Sequence, residues 1–294
     1  MLRATRVSTS DGALGVLEWG VDDPTVVLLH PNGFCAGLYE PVAELLRDEA
    51  RVIAIDLPGH GASTAPPERS GFGFEAMAAQ VIETLDARGI RGVSVAGGSL
   101  GGAVAVMVDK LDPGRWTRAL LAEAIAFPTD RLNGGAAGDT DRAGRDGNGM
   151  AEQARRRRSE FSNHAEMVAS LSTRPPLSEL APEAMAAYAR WGTTTCSTGI
   201  RLACNPETEA TVFEVSAEDG GAQAAWDHLP HLSCPTTILA GRDTFLPDIF
   251  TEQARRASAT IVFIDGGHFV LHEDSARGAE LIRRHALADE SAAA

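Results

Sequence analysis

The feature that most constrains this chain is the stretch Gly92 to Gly102, GVSVAGGSLGG. Val93 to Ala96 is short, apolar and β-branched, the pattern of a buried strand. From Ala103 to Leu111 an alanine- and valine-rich run reads as a helix. Between the two, Gly97-Gly98-Ser99-Leu100-Gly101-Gly102 must turn strand into helix within a few residues. So tight a turn lifts the Ser99 hydroxyl clear of the sheet and strains its backbone. Side chains two residues to either side would strike the strand or the helix, and Gly97 and Gly101 have none. A helix starting there directs its free N–H groups at the serine. The segment is therefore G-x-S-x-G in the strand–turn–helix setting that makes the serine a nucleophile. Phosphate-binding loops are excluded, because no lysine completes G-x-x-x-x-G-K-[ST] and the glycine spacing does not fit G-x-G-x-x-G.

The rest of the chain supplies the sheet that such a turn needs. Asp11-Gly12 is a hairpin signal within a weakly alternating run. Val26 to Leu29 and Val52 to Ile55 read as buried strands, ending in the turns His30-Pro31-Asn32-Gly33-Phe34 and Asp56-Leu57-Pro58-Gly59-His60-Gly61. Phe74 to Arg88 is an amphipathic helix closed by Gly89. Ala119 to Ala124 is a further strand. Thr236 to Ala240 and Ile261 to Ile264 are the last two strands, with a final helix from about Asp274 to Ala288. Strands alternating with helices imply a parallel sheet whose reactive loops lie at the strands' carboxyl ends. That places His30, Asp56, Ser99 and Glu123 on one rim.

The alternation breaks between 127 and 231. We expect two units: a core of 1–126 and 232–294, and a helical cap over 127–231. Residues 129–149 are rich in Gly, Ala, Asp and Arg and read as a mobile surface loop. The acidic fragments there do not complete a calcium loop. Arg155 to Arg158 read as a solvated face, with an anionic-substrate clamp as the alternative. Tyr188, Trp191 and Trp226 read as cap core.

A chain of 294 residues with 44% hydrophobic and 22% charged residues is an ordinary globular composition. The net charge of -14 argues against nucleic acid and against acidic membranes as partners. Lys110 is the only lysine. The four cysteines form no C-x-x-C pair, so zinc and redox motifs have no support. No signal core or membrane-length apolar run is present, so the expected location is the cytoplasm.

A serine needs a base within hydrogen-bond reach and a third group to orient that base. The chain offers Ser99, Asp243 and His268 in that order, the order expected for this turn. His268 follows the last strand and is preferred as base. His30 and His60 belong to turn motifs and read as structural, and His272 reads as a surface residue. Asp243 is preferred as the acid, with Glu123, at the end of its own strand, as runner-up.

These residues carry a resemblance. His30-Pro-Asn32-Gly-Phe34, Asp56 to Ser63, Gly97-Gly-Ser99-Leu-Gly101, Gly241-Arg-Asp243 and Gly267-His268 jointly resemble the α/β-hydrolase family, in the branch with an inserted helical cap. The resemblance implies a mostly parallel eight-stranded sheet with the cap after the sixth strand. It implies a cofactor-free, metal-free Ser-His-Asp mechanism. It also implies an oxyanion hole made by the N–H groups of Leu100 and Asn32, to which the Asn32 side-chain amide could add. Phe34, Phe245 and Phe269 flank the rim loops and could line a pocket. The expected activity is hydrolysis of a small apolar carboxylic ester or lactone, as in carboxylesterases and lactonases. Acyl transfer to an acceptor other than water, and non-catalytic ligand reception on the same fold, are the alternatives. In two places the chain departs from the common pattern: Pro31 follows the loop histidine, and Gly98 precedes the nucleophile.

Overall fold

The computed structural model describes residues 2–20, 23–129, 147–175, 177–244 and 246–287. The loop expected at 129–149 thus lies almost wholly outside the described residues. Strands β1 (Arg3–Thr9) and β2 (Gly12–Trp19) form the hairpin announced by Asp11-Gly12, with Thr9 opposite Gly12. Then come β3 (Thr25–Leu29), helix α1 (Glu40–Leu46), β4 (Arg51–Ile55), α2 (Phe74–Asp86), β5 (Val93–Gly98), α3 (Leu100–Leu111) and β6 (Trp116–Ala122). After an insertion, β10 (Thr236–Gly241), α9 (Pro247–Ala257), β11 (Thr260–Ile264) and α10 (Ser275–Ile282) complete the core.

The eight strands stand in the order β1-β2-β4-β3-β5-β6-β10-β11. β2 runs antiparallel to both β1 and β4, and the six strands β4-β3-β5-β6-β10-β11 are parallel. This is the mostly parallel sheet expected, and its two faces follow from the strand period of two. Val27, Leu29 and Val95 face the layer holding α2, α3 and α9. Val26, Leu28 and Ala96 face α1 and α10. Both faces are covered, so the central strands are apolar throughout. Among the described residues, no helix is long and apolar enough to cross a membrane.

The insertion between β6 and β10 is not purely helical. It contains α4 (Gly147–Arg155), α5 (His164–Leu171), α6 (Pro182–Trp191), α7 (Pro206–Ser216) and α8 (Ala224–His228). It also holds a small antiparallel sheet, β7 (Glu160–Phe161), β8 (Thr193–Cys196) and β9 (Gly199–Leu202), in the order β7-β9-β8. The sequence conceals these strands because two to four residues are too few to display a period. The helix α6 lies on the turn Ala36–Tyr39. Gly37 makes this approach possible: a Cβ there would fall 2.2 Å from the Cβ of Trp191. Tyr188 is buried where the insertion meets the core, while Trp226 joins the main core under α3 and α9.

Three histidines are buried beside the loop after β3. His30 accepts the Leu57 N–H at Nε2 (2.9 Å), and its Nδ1 lies 2.8 Å from the Pro31 carbonyl, which fixes a neutral tautomer. The His60 ring stands 5.0 Å from the His30 ring. His272, expected at the surface, is 2% exposed. It meets Tyr39 edge to face at 4.5 Å, and among the described residues neither ring nitrogen has a hydrogen-bond partner. Leu271 and His272 lie in the turn ahead of α10, which starts at Ser275, and there the chain directs both side chains inward. Burial lowers all three pKa values, His60 to about 4 and His272 to about 3. The unfolded chain then takes up protons that the folded one refuses. Stability is therefore fully present above about pH 6.5 and is lost as pH falls toward these lowered values. His272→Phe keeps the edge-to-face contact and removes the titration. Urea unfolding midpoints between pH 7 and pH 4 should decline less steeply in this variant, by up to about 1.4 kcal/mol per pH unit. An unchanged slope would exclude His272 as an acid-sensitive group.

Candidate active site

Ser99 sits between β5 and α3 at φ 53° and ψ -116°, a backbone conformation that an unbranched L-residue enters only under constraint. The constraint is close packing. A Cβ on Gly101 would lie 2.1 Å from the Leu29 carbonyl oxygen, and one on Gly97 2.5 Å from that of Gly101. Helix and strand can approach this far only with glycine at both places. The Ser99 N–H donates to Ala122 O at 2.9 Å, fastening the turn to β6. Gly98 is different: its nearest neighbours, Pro31 and Tyr39, leave 3.6 Å, so this departure from the common pattern is not forced by space.

His268 follows β11. Its Nε2 is 3.0 Å from Ser99 Oγ, and its Nδ1 is 3.2 Å from Glu123 Oε2. Asp243, the acid expected from the sequence, is not the group that meets Nδ1 in this way. It lies exposed in the turn after β10, where its N–H donates to Gly266 O. Glu123 stands in its place, directly after β6, at φ 51°. Its side chain is fully buried. Besides His268, its carboxylate accepts the Gly241 N–H at 2.7 Å and the Thr244 hydroxyl at 2.6 Å. The physical reason for the exchange lies in the sheet order. β6 lies between β5 and β10, so a carboxylate at its end is already under the imidazole, and the longer glutamate side chain spans the remaining gap. Gly241, Thr244 and His268 thus give the buried carboxyl group the hydrogen-bond partners that burial demands.

The loop bearing His268 has its own support. Glu273 accepts the N–H of Gly267 at 3.0 Å and of Phe269 at 3.0 Å, bracketing the histidine. Burial raises the Glu273 pKa against the pull of these N–H groups. Neither Thr244 nor Glu273 was singled out by sequence; the Gly-His-x-x-x-x-Glu spacing was the available signal for the second.

The oxyanion candidates occupy the expected loop. Leu100 opens α3, so its N–H has no partner four residues back. In the loop after β3, Pro31 has no N–H. Gly33 donates to His60 Nε2 at 3.1 Å, and Phe34 to Pro31 O at 3.3 Å. Among the described residues no acceptor stands at the Asn32 N–H. The Asn32 side chain is otherwise engaged: Nδ2 donates to Glu209 O at 3.0 Å, and Oδ1 is 3.1 Å from His60 Nε2. One of the two donors of the amide suggested as an extra oxyanion contact is thus engaged by the insertion. Phe34 and Phe269 are buried against one another, with ring centres 5.1 Å apart, and against Tyr188. Phe269 also borders a small cavity beside His268, together with Pro31, Gly98 and His272. Phe245 lies outside the described residues. No group of three or more His, Cys, Asp or Glu able to hold a metal ion occurs among the described residues.

Residues 26–281 match the family described as alpha/beta hydrolase. The chain belongs to the alpha/beta hydrolase family. Among curated relatives, 2-succinyl-6-hydroxy-2,4-cyclohexadiene-1-carboxylate synthase of Yersinia enterocolitica is 50% identical over 83 residues, 28% of this chain and 29% of the relative. The magnesium-chelatase 30 kDa subunit of Rhodobacter capsulatus is 27% identical over 284 residues, 90% of this chain and 89% of the relative. Several of the other matches also span only about a third of the relative's length, 37% in a serine hydrolase-like protein of Danio rerio and 33% in a methyl ester esterase of Methylococcus capsulatus. Among solved structures, a thermophilic esterase from Thermogutta terrifontis superposes with a TM-score of 0.69 at 25% identity, covering 96% of this chain and 97% of that one.

Glu273 offers a direct test of how the histidine loop is held. Glu273→Ala removes the acceptor of two N–H groups at once. It should lower stability by about 3–4 kcal/mol in urea unfolding, since two hydrogen bonds to a charged group are lost and each is worth roughly 1.5–2 kcal/mol. Glu273→Gln, which keeps one acceptor oxygen, should recover part of the loss.

Proposed function

We propose that this alpha/beta hydrolase cleaves a carboxylic ester or lactone through an acyl-enzyme on Ser99. The observation that carries the reading is the continuous line Ser99 Oγ–His268 Nε2 at 3.0 Å and His268 Nδ1–Glu123 Oε2 at 3.2 Å. Ser99 Oγ attacks the acyl carbon as its proton passes to His268 Nε2. The imidazolium then gives that proton to the departing alkoxide. Water attacks the acyl-enzyme by the same route in reverse. Glu123, rather than the Asp243 first favoured, holds the imidazole with Nδ1 protonated and stabilises its positive charge. The N–H groups of Leu100 and Asn32 receive the negative charge on the substrate oxygen, where fixed donors act without reorganisation. The strained Ser99 backbone supports this role, because such strain persists where packing enforces it at working sites. In the same reading, residues 127–231 form a cap over the rim, with Phe269 beside the reacting histidine. The esterase relationship at 25% identity favours ester over amide substrates.

A fluorophosphonate should label the protein at Ser99 alone, and Ser99→Ala should reduce turnover of a nitrophenyl ester by up to about a millionfold. Glu123→Gln should cost on the order of ten-thousandfold in kcat with the fold retained, while Asp243→Asn should stay within about threefold of the parent. The reverse ranking would return the acid to Asp243. Labelling at another residue would remove Ser99 as the nucleophile.

A further inference from the structure

The insertion reaches into the loop after β3 through a buried polar cluster. Arg157, between α4 and β7, donates to Glu209 Oε2 of α7 at 2.8 Å and to the Tyr188 hydroxyl of α6 at 2.8 Å. Its neighbours in the arginine run behave as the sequence reading expected: Arg155, Arg156 and Arg158 are exposed and pair with Glu207, Glu152 and Glu166. Arg157 alone turns inward, with 13% of its side chain exposed against 11% for Glu209. The Tyr188 hydroxyl, holding the guanidinium with its lone pair, donates its own proton to Gly33 O at 3.0 Å. Glu209 completes the grip in two ways. Its backbone carbonyl accepts the Asn32 amide at 3.0 Å. Its carboxylate lies so close to Gly33 that a Cβ there would be 2.7 Å from Oε1. Gly33 has φ +79°, a conformation glycine adopts without strain.

These contacts converge on the two residues that carry and follow the Asn32 N–H. Gly33 is held by its N–H to His60 and by its carbonyl to Tyr188, and Asn32 is held by its side-chain amide to the Glu209 carbonyl. The direction of the Asn32 N–H is then set from the insertion as much as from the core. A pair of charges this well enclosed stays ordered only with complete partners, and truncating one partner strands the other. We infer that Arg157, Glu209 and Tyr188 are positioning residues that aim the Asn32 N–H at the substrate oxygen, so that the insertion takes part in transition-state stabilisation without touching the substrate. This rests on the acyl-enzyme reading above.

Tyr188→Phe keeps the ring against Phe34 and removes only the hydroxyl. Because a donor misplaced by about 1 Å forfeits on the order of a hundredfold, the variant should lose ten- to a hundredfold in kcat for a nitrophenyl ester, with KM within twofold. The rate at which a fluorophosphonate labels Ser99 should fall in parallel, because its phosphoryl oxygen needs the same donors. The pH dependence of kcat/KM should not move, since the base is unaltered. Glu209→Gln should act in the same direction, and the exposed Arg156→Gln should do nothing. Thermal unfolding reports the folded fraction, to which all rates are referred. Parent-like kcat and labelling in folded Tyr188→Phe and Glu209→Gln would overturn the inference, as would a loss confined to KM. Failure of the parent protein to be labelled at Ser99 would instead overturn the underlying acyl-enzyme reading.

Discussion

Everything at this site depends on how closely α3 can approach the sheet. Only Ser99 separates the end of β5 from the start of α3, whose first turn lies against the carbonyl of Leu29 with no room for a methyl group at position 101. That contact fixes the left-handed backbone at Ser99, and with it the direction of the hydroxyl and of the Leu100 N–H. Neither could be aimed by side-chain choice alone. The sheet supplies the stiffness: β5 is bonded on both sides, to β3 and to β6, and is covered on both faces. A strained residue survives only where so many neighbours agree on its position.

The same closeness explains which parts could be read from the chain and which could not. The strands were legible because β3, β4, β5, β6 and β10 are apolar runs bounded by turn residues. Ser99 was legible because its glycines have a steric cause, and His268 because it directly follows the last strand. Which carboxylate meets His268 was not. Asp243 and Glu123 each stand at the end of a strand on the same rim, and the linear sequence does not say which strand end lies under the imidazole. The order β5-β6-β10 puts Glu123 between the strand that leads to Ser99 and the strand before Asp243, and it is the Glu123 carboxylate that meets His268 Nδ1. His272 was misread for a related reason: it stands just ahead of the last helix, and nothing local in the sequence says that the chain turns it inward there.

The insertion was the least legible part. Its strands are too short for a period to appear, and Thr193 to Cys196 is polar enough to pass as a loop. The arginine run illustrates the difficulty. Four consecutive arginines present one charge pattern, yet three reach solvent-side carboxylates and one closes a buried cluster. What separates Arg157 from its neighbours is a carboxylate about fifty residues further on, Glu209, and a hydroxyl on a third segment, Tyr188. Such a site is assembled by folding and has no local signature.

The strand that delivers His268 stands at one edge of the sheet. Among the described residues β11 pairs only with β10, and its residues are exposed or half-buried along their length, unlike most of those in β3 to β6. Opening free energies in a folded protein are lowest where contacts are fewest. A fluctuation that releases β11 withdraws the imidazole from both Ser99 and Glu123 while the centre of the sheet stays paired. The alignment of the three side chains is therefore only as durable as the sheet's margin, and amide exchange along Thr260–Ile264 measures the lifetime of the assembled site more closely than the global unfolding temperature does.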